Sequence, residues 1–209
     1  DTGDLNDAYT VRSLDDLAKI YATPLPQIAT KETDHITDVG RAFIAASPFL
    51  VLATSNGESI DCSPKGDAPG FVQLLDDRTL LIPDRPGNNR IDGMQNLLVN
   101  PQVGIIFMVP GSNETYRVTG SAAISTDPAL LKRCEVQGKL PRVVLRVAVE
   151  EAFNHCPKAF VRAKLWDATA RPSGAPTHGD FAASRDGKDV VYAKDYNEQY
   201  AERLKTELY

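Results

Sequence analysis

The spacing of hydrophobic residues along the chain separates helical segments from strand-forming ones. Residues 13–21 carry apolar side chains at helical intervals behind a serine, which predicts a short amphipathic helix. A second helix is predicted over residues 36–46, with Val39, Phe43 and Ile44 on one face. Both helices precede the first strand-forming run, so we expect a helical N-terminal extension.

The pattern changes at Phe49, beyond which apolar runs alternate with tight-turn residues. Residues 49–54 have the composition of a buried strand, and the Asn56-Gly57 pair that follows is typical of a two-residue hairpin. A return strand is expected over residues 59–63. The same signals predict further strands at residues 71–75, 79–82, 103–109, 115–125 and 142–149. Six or more antiparallel strands with peripheral helices indicate a mainly β fold, a closed or split β-barrel, because most connections are too short for parallel crossovers.

Helical spacing returns between and after these strands. Helices are predicted at residues 91–98, 128–135 and 157–165. Residues 171–187 are rich in Pro, Gly, Ser, Thr and Asp and are expected to form a loop or linker. A charged terminal helix is predicted over residues 195–209. We therefore expect three parts, which are a helical extension over residues 1–47, a barrel domain over 48–168, and a loop with a C-terminal helix over 169–209.

Composition argues against several classes of function. The 209 residues carry a formal net charge of −5, which argues against broad binding to nucleic acids or to anionic membranes. No apolar run approaches the roughly 18 residues of a membrane-spanning helix. The three cysteines are widely spaced and provide neither a disulfide framework nor a metal-binding pair. We therefore expect a cytoplasmic protein without a metal site.

Candidate chemistry is concentrated in two predicted loops, residues 61–70 and residues 83–90, each of which follows a predicted strand. Both combine cations, polar groups and glycine, which suit a phosphate-bearing ligand, although neither fits a Walker or dinucleotide fingerprint. If the two strands are neighbours, the loops meet at one point. The residues that would converge there are Ser63, Lys65, Arg85, Asn88, Asn89 and Arg90. The alternative is that these are ordinary solvated turn charges.

The same region resembles the FMN-binding split-barrel superfamily that contains pyridoxamine 5′-phosphate oxidase. The similarity covers residues 49–107 and extends through the strand at residues 115–120. It includes the sequences Asp-Cys-Ser-Pro-Lys-Gly-Asp at residues 61–67 and Asp-Arg-Pro-Gly-Asn-Asn-Arg at residues 84–90. These segments, together with Cys-Pro-Lys-Ala at residues 156–159, are similar to an oxidase-related FMN-binding subgroup of unassigned substrate.

The resemblance implies a homodimer with FMN at the subunit interface, and it assigns contacts by position. The residues expected to face the ring or ribityl chain are Ser63, Lys65, Gly66 and Asp67. Those expected at the ribityl and phosphate end are Pro83, Asp84, Asn88, Asn89 and Arg90. Thr115 and Arg117 are expected at the isoalloxazine edge. A cation near the flavin N1 and C2=O would stabilise the anionic reduced flavin, which indicates Lys65 or Arg117 for that role.

The resemblance predicts an FMN-dependent oxidoreductase that transfers hydride at the flavin, with its small-molecule substrate and electron donor unassigned. The vitamer oxidase carries an Arg-x-His triplet near its C-terminus, and none occurs here, so oxidation of pyridoxamine phosphate is not expected. No obligatory acid or base is evident, and no catalytic residue is assigned. Two alternatives stay open, namely a flavin carrier or sensor without turnover and a split barrel that binds haem or another ligand.

Overall fold

The computed structural model describes residues 9–170 and 172–208, which form two units divided between Glu32 and Thr33. In the first unit, helix α1 (Leu14–Ile20) begins where the Ser13 hydroxyl accepts a hydrogen bond from the backbone of Asp16. The predicted helix over residues 13–21 is thereby confirmed, and in the described chain it buries none of its side chains. A four-residue helix, α2 (Pro26–Ala29), follows.

The second unit is built around a seven-stranded antiparallel sheet. Its strands are β1 (Phe49–Ser55), β2 (Ile60–Gly66), β3 (Gln73–Leu74), β4 (Thr79–Pro83), β5 (Gln102–Met108), β6 (Thr115–Ser125) and β7 (Val144–His155). Their order in the sheet is β2-β1-β5-β6-β7-β4-β3. The predicted mainly β fold with peripheral helices is confirmed. Ion pairs link β2 to the segment after β4, although these strands are far apart in the order, so the sheet curls into a barrel that is split between them.

One face of the sheet forms the barrel core, because paired strands place their inward side chains opposite each other. Leu50 of β1 pairs with Phe107 of β5, and Val118 of β6 pairs with Ala152 of β7; all four are buried. Burial of each large aliphatic side chain contributes roughly 1.5–3 kcal/mol. The register shifts by one residue between Thr119 and Gly120, where β6 approaches β7 so closely that a Cβ on Gly120 would collide with the Ala148 backbone.

The described part of the second unit also contains six helices. They are α3 (Asp38–Ala46), α4 (Asp92–Val99), α5 (Pro128–Arg133), α6 (Lys158–Ala163), α7 (His178–Asp186) and α8 (Val190–Glu207), with one 3₁₀ turn at Ala168–Ala170. The helices predicted at residues 36–46, 91–98, 128–135 and 157–165 are confirmed. The buried face expected for α3 is partly wrong, since Val39 is 81% exposed. That helix packs through Ile44 and Gly40 instead, and a side chain on Gly40 would collide with the Tyr116 ring.

The prediction of a loop or linker over residues 171–187 is wrong in its second half, which forms α7. The Thr177 hydroxyl and the Asp180 carboxylate cap the start of this helix reciprocally, and Gly187 ends it with a φ of 62°. Small residues form its buried side, so hydrophobic spacing gives no sign of it. Helix α8 also begins earlier than predicted, behind the cap of Asp189. No helix in the described ranges is long and apolar enough to span a membrane.

Candidate functional site

The first predicted loop is largely a strand. Strand β2 continues to Gly66, so Ser63 and Lys65 lie within the sheet, and only the residues from Asp67 onwards leave it. Exposure alternates along β2, with Ser63 and Lys65 half-buried and Pro64 exposed. The hairpin register places Ser63 opposite Leu52 and Lys65 opposite Leu50, so both side chains face the inside of the barrel. Pro64 is tolerated because β2 is an edge strand.

The two candidate segments meet, although not in the way the sequence suggested. Strands β2 and β4 are not hydrogen-bonded neighbours, so the condition under which the sequence analysis brought the two loops together is not met. Their ends are joined instead by side chains across the split. Lys65 Nζ lies 3.2 Å from Asp84 Oδ1, and Arg85 Nε lies 2.6 Å from Asp67 Oδ2. Curling of the barrel therefore brings together residues that the sheet order separates.

The Asp67–Arg85 pair is a buried connection between the two segments. The Asp67 side chain is 1% exposed and that of Arg85 is 13% exposed. Arg85 Nη1 also donates to the carbonyl oxygen of Cys134 at 2.8 Å, and burial raises the pKa of the Cys134 thiol. Removal of one member of a buried pair leaves the other charge uncompensated, which typically costs about 3–5 kcal/mol. Asp67 and Arg85 therefore form a structural ion pair that holds the two sides of the split barrel together.

Lys65 and Asp84 form a more exposed pair, with each side chain 25% exposed. The two carboxylates of Asp67 and Asp84 offset the charges of Arg85 and Lys65, so these four side chains carry no net charge. Attraction for a phosphate has to come from other groups nearby. Gly66, which precedes Asp67, lies at the end of β2 with its backbone exposed.

The second segment turns sharply before α4, and its residues 86–90 are exposed. Asn88 Oδ1 accepts a hydrogen bond from the backbone N–H of Arg90 at 2.9 Å. Asn89 has a left-handed backbone with a φ of 58°, a conformation that asparagine tolerates better than most residues. The Arg90 guanidinium donates to Asp92, and that hydrogen bond raises the pKa of Arg90. The turn thus presents two amides and one cation to solvent.

A residue that sequence reasoning missed joins this turn. Arg142 Nη1 donates to Asn89 Oδ1 at 2.6 Å. Arg142 lies just before β7, and Asp84 donates its backbone N–H to the carbonyl oxygen of the adjacent Val143 at 3.0 Å. The contact spans 53 residues of sequence and depends on the β4–β7 pairing. No local sequence pattern around Arg142 predicts its contact with Asn89.

The start of α4 lies against Asp61, near the beginning of β2. Ser63 Oγ donates to Asp61 Oδ2 at 2.6 Å, and a Cβ on Gly93 would lie 3.1 Å from that same carboxylate oxygen. Gly93 is in the first turn of α4, where the helix dipole is positive and favours anionic groups. Asn96 holds the helix in place by donating from Nδ2 to Thr54 Oγ1 at 3.1 Å.

The remaining predicted contacts lie elsewhere. Thr115 and Arg117 lie on the face of β6 opposite to the core residues Tyr116 and Val118, because successive side chains of a strand alternate between its two faces. Thr115 is buried on that face and Arg117 is half-buried. The Arg117 guanidinium carbon lies 5.0 Å from the centre of the Phe153 ring. Pro83 is buried at the end of β4 opposite Val144. Within one chain, therefore, Thr115 and Arg117 face away from Ser63 and Lys65.

No group of three histidine, cysteine or acidic side chains suited to a metal ion occurs in the part of the chain that the structure describes. His155 and Cys156 are exposed and lie at and just beyond the end of β7. Cys62 is exposed on β2.

Comparison with known proteins matches most of the barrel to one family. The family model described as pyridoxamine 5′-phosphate oxidase matches residues 36–156, which is more than half of the chain. No curated protein is similar enough in sequence to match.

Several solved structures are similar to part of this chain at low sequence identity. A single-residue variant of HupZ from Group A Streptococcus is 25% identical with a TM-score of 0.48, covering 57% of this chain and 99% of that one. A putative pyridoxamine 5′-phosphate oxidase from Lactobacillus delbrueckii is 20% identical with a TM-score of 0.47, covering 59% and 99%. An FMN-binding protein from Syntrophomonas wolfei is 13% identical with a TM-score of 0.41, covering 56% and 88%.

Proposed function

We propose, since the chain belongs to the pyridoxamine 5′-phosphate oxidase family, that it binds FMN and is an FMN-dependent oxidoreductase acting on a small molecule. The observation that supports this most directly is the meeting of residues 61–67 with residues 83–90 across the split of the barrel. Bound FMN would supply hydride transfer at its N5, and the protein would supply orientation and electrostatics. The substrate and the electron donor are left open.

The donor groups around the turn fit a phosphate dianion. Asn88 and Asn89 use their amide oxygens within the protein, which leaves their Nδ2 groups as donors. Arg90 adds a guanidinium, whose planar set of N–H groups suits phosphate oxygens. The phosphate is therefore assigned to residues 88–90. Ser63 and Lys65, on the inward face of β2, are assigned to the ribityl chain and ring.

Arg117 is the better of the two cations for stabilising an anionic reduced flavin. The charge of Lys65 is already offset by Asp84 at 3.2 Å. Arg117 instead lies over the Phe153 ring, and no ion pair found in the described residues includes it. A free positive charge beside the ring would stabilise its reduced anion more than a neutralised one.

The placement of these residues supports a homodimer. Ser63 and Lys65 face inward on β2, whereas Thr115 and Arg117 face outward on β6. One flavin cannot lie against both faces of a single sheet at these positions, so contact with both sets would require two copies of the chain. The outward face also exposes Ile106 beside Arg117, and an apolar side chain there would gain from being covered by a partner.

The first experiment is the visible spectrum of the purified protein, with release and identification of the bound ligand and light scattering for mass. The proposal expects bound FMN that is reduced by NAD(P)H or by a reduced deazaflavin, in a particle of about twice the chain mass. Bound FMN that no such donor reduces would favour a carrier or sensor. A protein that ignores FMN but shifts a haem spectrum would refute the flavin site.

A second experiment tests the phosphate assignment. FMN and riboflavin, which lacks the phosphate, are titrated into flavin-free protein and followed by fluorescence. We expect Arg90→Ala to weaken FMN by about 1.5–3 kcal/mol, because a charged hydrogen bond is lost, and to leave riboflavin unchanged. Lys194→Ala is the control, since Lys194 is an exposed cation on α8. Equal losses for both flavins would move the phosphate away from this turn.

A further inference from the structure

Arg142 differs from the other cations near the candidate phosphate turn. Three of them have a carboxylate partner, since Lys65 contacts Asp84, Arg85 contacts Asp67 and Arg90 contacts Asp92. The hydrogen bond of Arg142 goes to a neutral amide oxygen instead, and no ion pair in residues 9–170 and 172–208 includes it. Its positive charge is therefore not offset by a carboxylate at contact distance.

The backbone fixes Arg142 at this place. Strand β7 pairs with β4, with Val144 opposite Pro83. Just beyond that residue pair, the Asp84 N–H donates to the Val143 carbonyl oxygen at 3.0 Å. The residue that follows β4 and the residue that precedes β7 are thus held together, so Arg142 lies beside the segment that carries the turn. Its side chain is exposed and can reach a ligand as well as Asn89.

The contact with Arg142 also determines which way the Asn89 amide faces. A guanidinium can only donate, so the group it meets at 2.6 Å has to be Oδ1. The amide NH₂ is then directed to the other side and remains a donor. Asn89 has an unusual left-handed backbone, and a hydrogen bond to its side chain helps to hold that conformation. Arg142 therefore converts a strained turn residue into an oriented donor for an anion.

We infer that Arg142 makes this turn selective for a phosphorylated flavin, by orienting Asn89 and by supplying a positive charge that no carboxylate offsets. The inference rests on the proposed FMN site and adds its specificity-determining residue. Arg142 is a positioning residue through Asn89 and a ligand-binding residue through its remaining N–H groups. Its effect falls on the phosphate alone.

The test measures FMN and riboflavin affinities of the flavin-free protein by fluorescence titration, for the unmodified chain, Arg142→Ala and Arg142→Lys. We expect Arg142→Ala to weaken FMN by about tenfold or more, because a charged contact is lost, and to change riboflavin by less than about twofold. Compared with Arg142→Ala, Arg142→Lys keeps the positive charge but lacks the planar set of guanidinium N–H donors. It should therefore retain part of the preference for FMN over riboflavin. The matched control is Arg146→Ala, which removes an exposed cation from β7, the strand that Arg142 precedes.

A double-substitution cycle with Asn89→Ala tests the positioning role. If Arg142 acts partly through Asn89, the two losses of FMN affinity are less than additive. Fully additive losses would overturn the positioning role. Equal weakening of FMN and riboflavin by Arg142→Ala, or no weakening, would overturn the specificity role while leaving flavin binding intact. A chain that binds neither flavin before any substitution would instead overturn the proposed function itself.

Discussion

The barrel and the C-terminal hairpin of α7 and α8 are stabilised in different ways. The barrel encloses large apolar side chains such as Phe107, Leu80 and Ile82, all fully buried. The buried residues of the hairpin are small, namely Gly179, Ala182, Ala183 and Ala193. Since stabilisation follows the apolar area removed from water, the hairpin gains much less from burial than the barrel does.

In the hairpin, hydrogen bonds near the start of α7 supply part of the stabilisation that apolar burial supplies in the barrel. Asn197 accepts from the Gly179 N–H at 2.7 Å and donates to Thr177 Oγ1 at 2.8 Å. The centre of the His178 ring lies 5.2 Å from that of Tyr196 and 4.7 Å from that of Tyr200. A segment held by a few polar contacts and little apolar area is expected to open locally, before the barrel unfolds. The same kind of substitution should therefore have different consequences in the two regions.

The largest effect is expected from Gly120→Ala in the barrel. A Cβ at Gly120 would collide with the backbone carbonyl oxygen of Ala148, and neither strand of this central pair can move without disturbing the core. We expect the free energy of unfolding to fall by about 3 kcal/mol in chemical denaturation. Gly104→Ala is the control, because its new Cβ would lie 3.8 Å from Ala53 Cβ, an ordinary contact. Equal stability of the two variants would contradict this reading of the strand crossing.

Gly179→Ala would produce the same kind of collision in the hairpin, but its effect on stability should be confined to the hairpin. A Cβ at Gly179 would collide with the Ala193 carbonyl oxygen and lie 2.8 Å from Asn197 Nδ2. We expect Gly179→Ala to separate α7 from α8, seen as lost helical circular dichroism and faster proteolysis within residues 177–208. The main thermal transition and FMN affinity should stay unchanged. Ser184→Ala, at an exposed position on α7, is the control, and a lowered barrel transition in Gly179→Ala would show that the regions unfold together.

The comparison also shows which features the sequence could reveal. The barrel strands were predictable because alternation and Asn-Gly turns are local signals, and they place β1 and the first half of β2 correctly. Helix α7 was missed because its buried residues are glycine and alanine, which carry no hydrophobic period.

Parts of the candidate site were hidden for a different reason. The polar segments around Lys65 and Asp84 were recognised by composition, but that they meet across the split depends on the curl of the whole sheet. The contact between Arg142 and Asn89 requires the β4–β7 register, which no single segment encodes. The opposite orientation of Arg117 and Lys65 follows from the β1–β2 and β5–β6 registers, which also join separate segments.

Acid should weaken the hairpin before the barrel. The Thr177 hydroxyl lowers the pKa of Asp180 below its ordinary value, and Arg185 lowers that of Asp186. A carboxyl whose pKa is depressed in the folded state stabilises that state above the unfolded pKa, and the contribution is lost as pH falls through the folded value. We expect amide signals of residues 177–208 to lose dispersion below about pH 4 in NMR spectra, while barrel signals persist.

An Asp180→Ala variant sharpens this test. It removes the capping carboxylate at every pH, so its hairpin should already be loosened at neutral pH and should change less on acidification. Simultaneous loss of barrel and hairpin signals in the unmodified chain would show that the two are one cooperative unit.

The smallest effect is expected where one substitution should have opposite signs in the two regions. Tyr116 Oη is buried beneath α3 without a hydrogen-bond partner among the described residues. Burial raises the pKa of this phenol, and Thr37 offsets only part of the shift without reaching hydrogen-bond geometry. We expect Tyr116→Phe to raise the free energy of unfolding by about 1 kcal/mol at neutral pH, because an unsatisfied polar group is removed.

Tyr192→Phe makes the same change in the hairpin, where the hydroxyl donates to Asp186 at 2.9 Å. This variant should lose hairpin helicity rather than gain stability. The pKa of both phenols is raised in the folded state, that of Tyr116 by burial and that of Tyr192 by its hydrogen bond to Asp186. The stabilisation linked to a raised phenol pKa is present below the unfolded value of about 10 and is lost as pH rises. The Tyr116→Phe barrel should therefore unfold less readily above about pH 10 than the unmodified chain. Destabilisation by Tyr116→Phe at neutral pH would mean that this hydroxyl is hydrogen-bonded after all, as the hydroxyl of Tyr192 is in the hairpin.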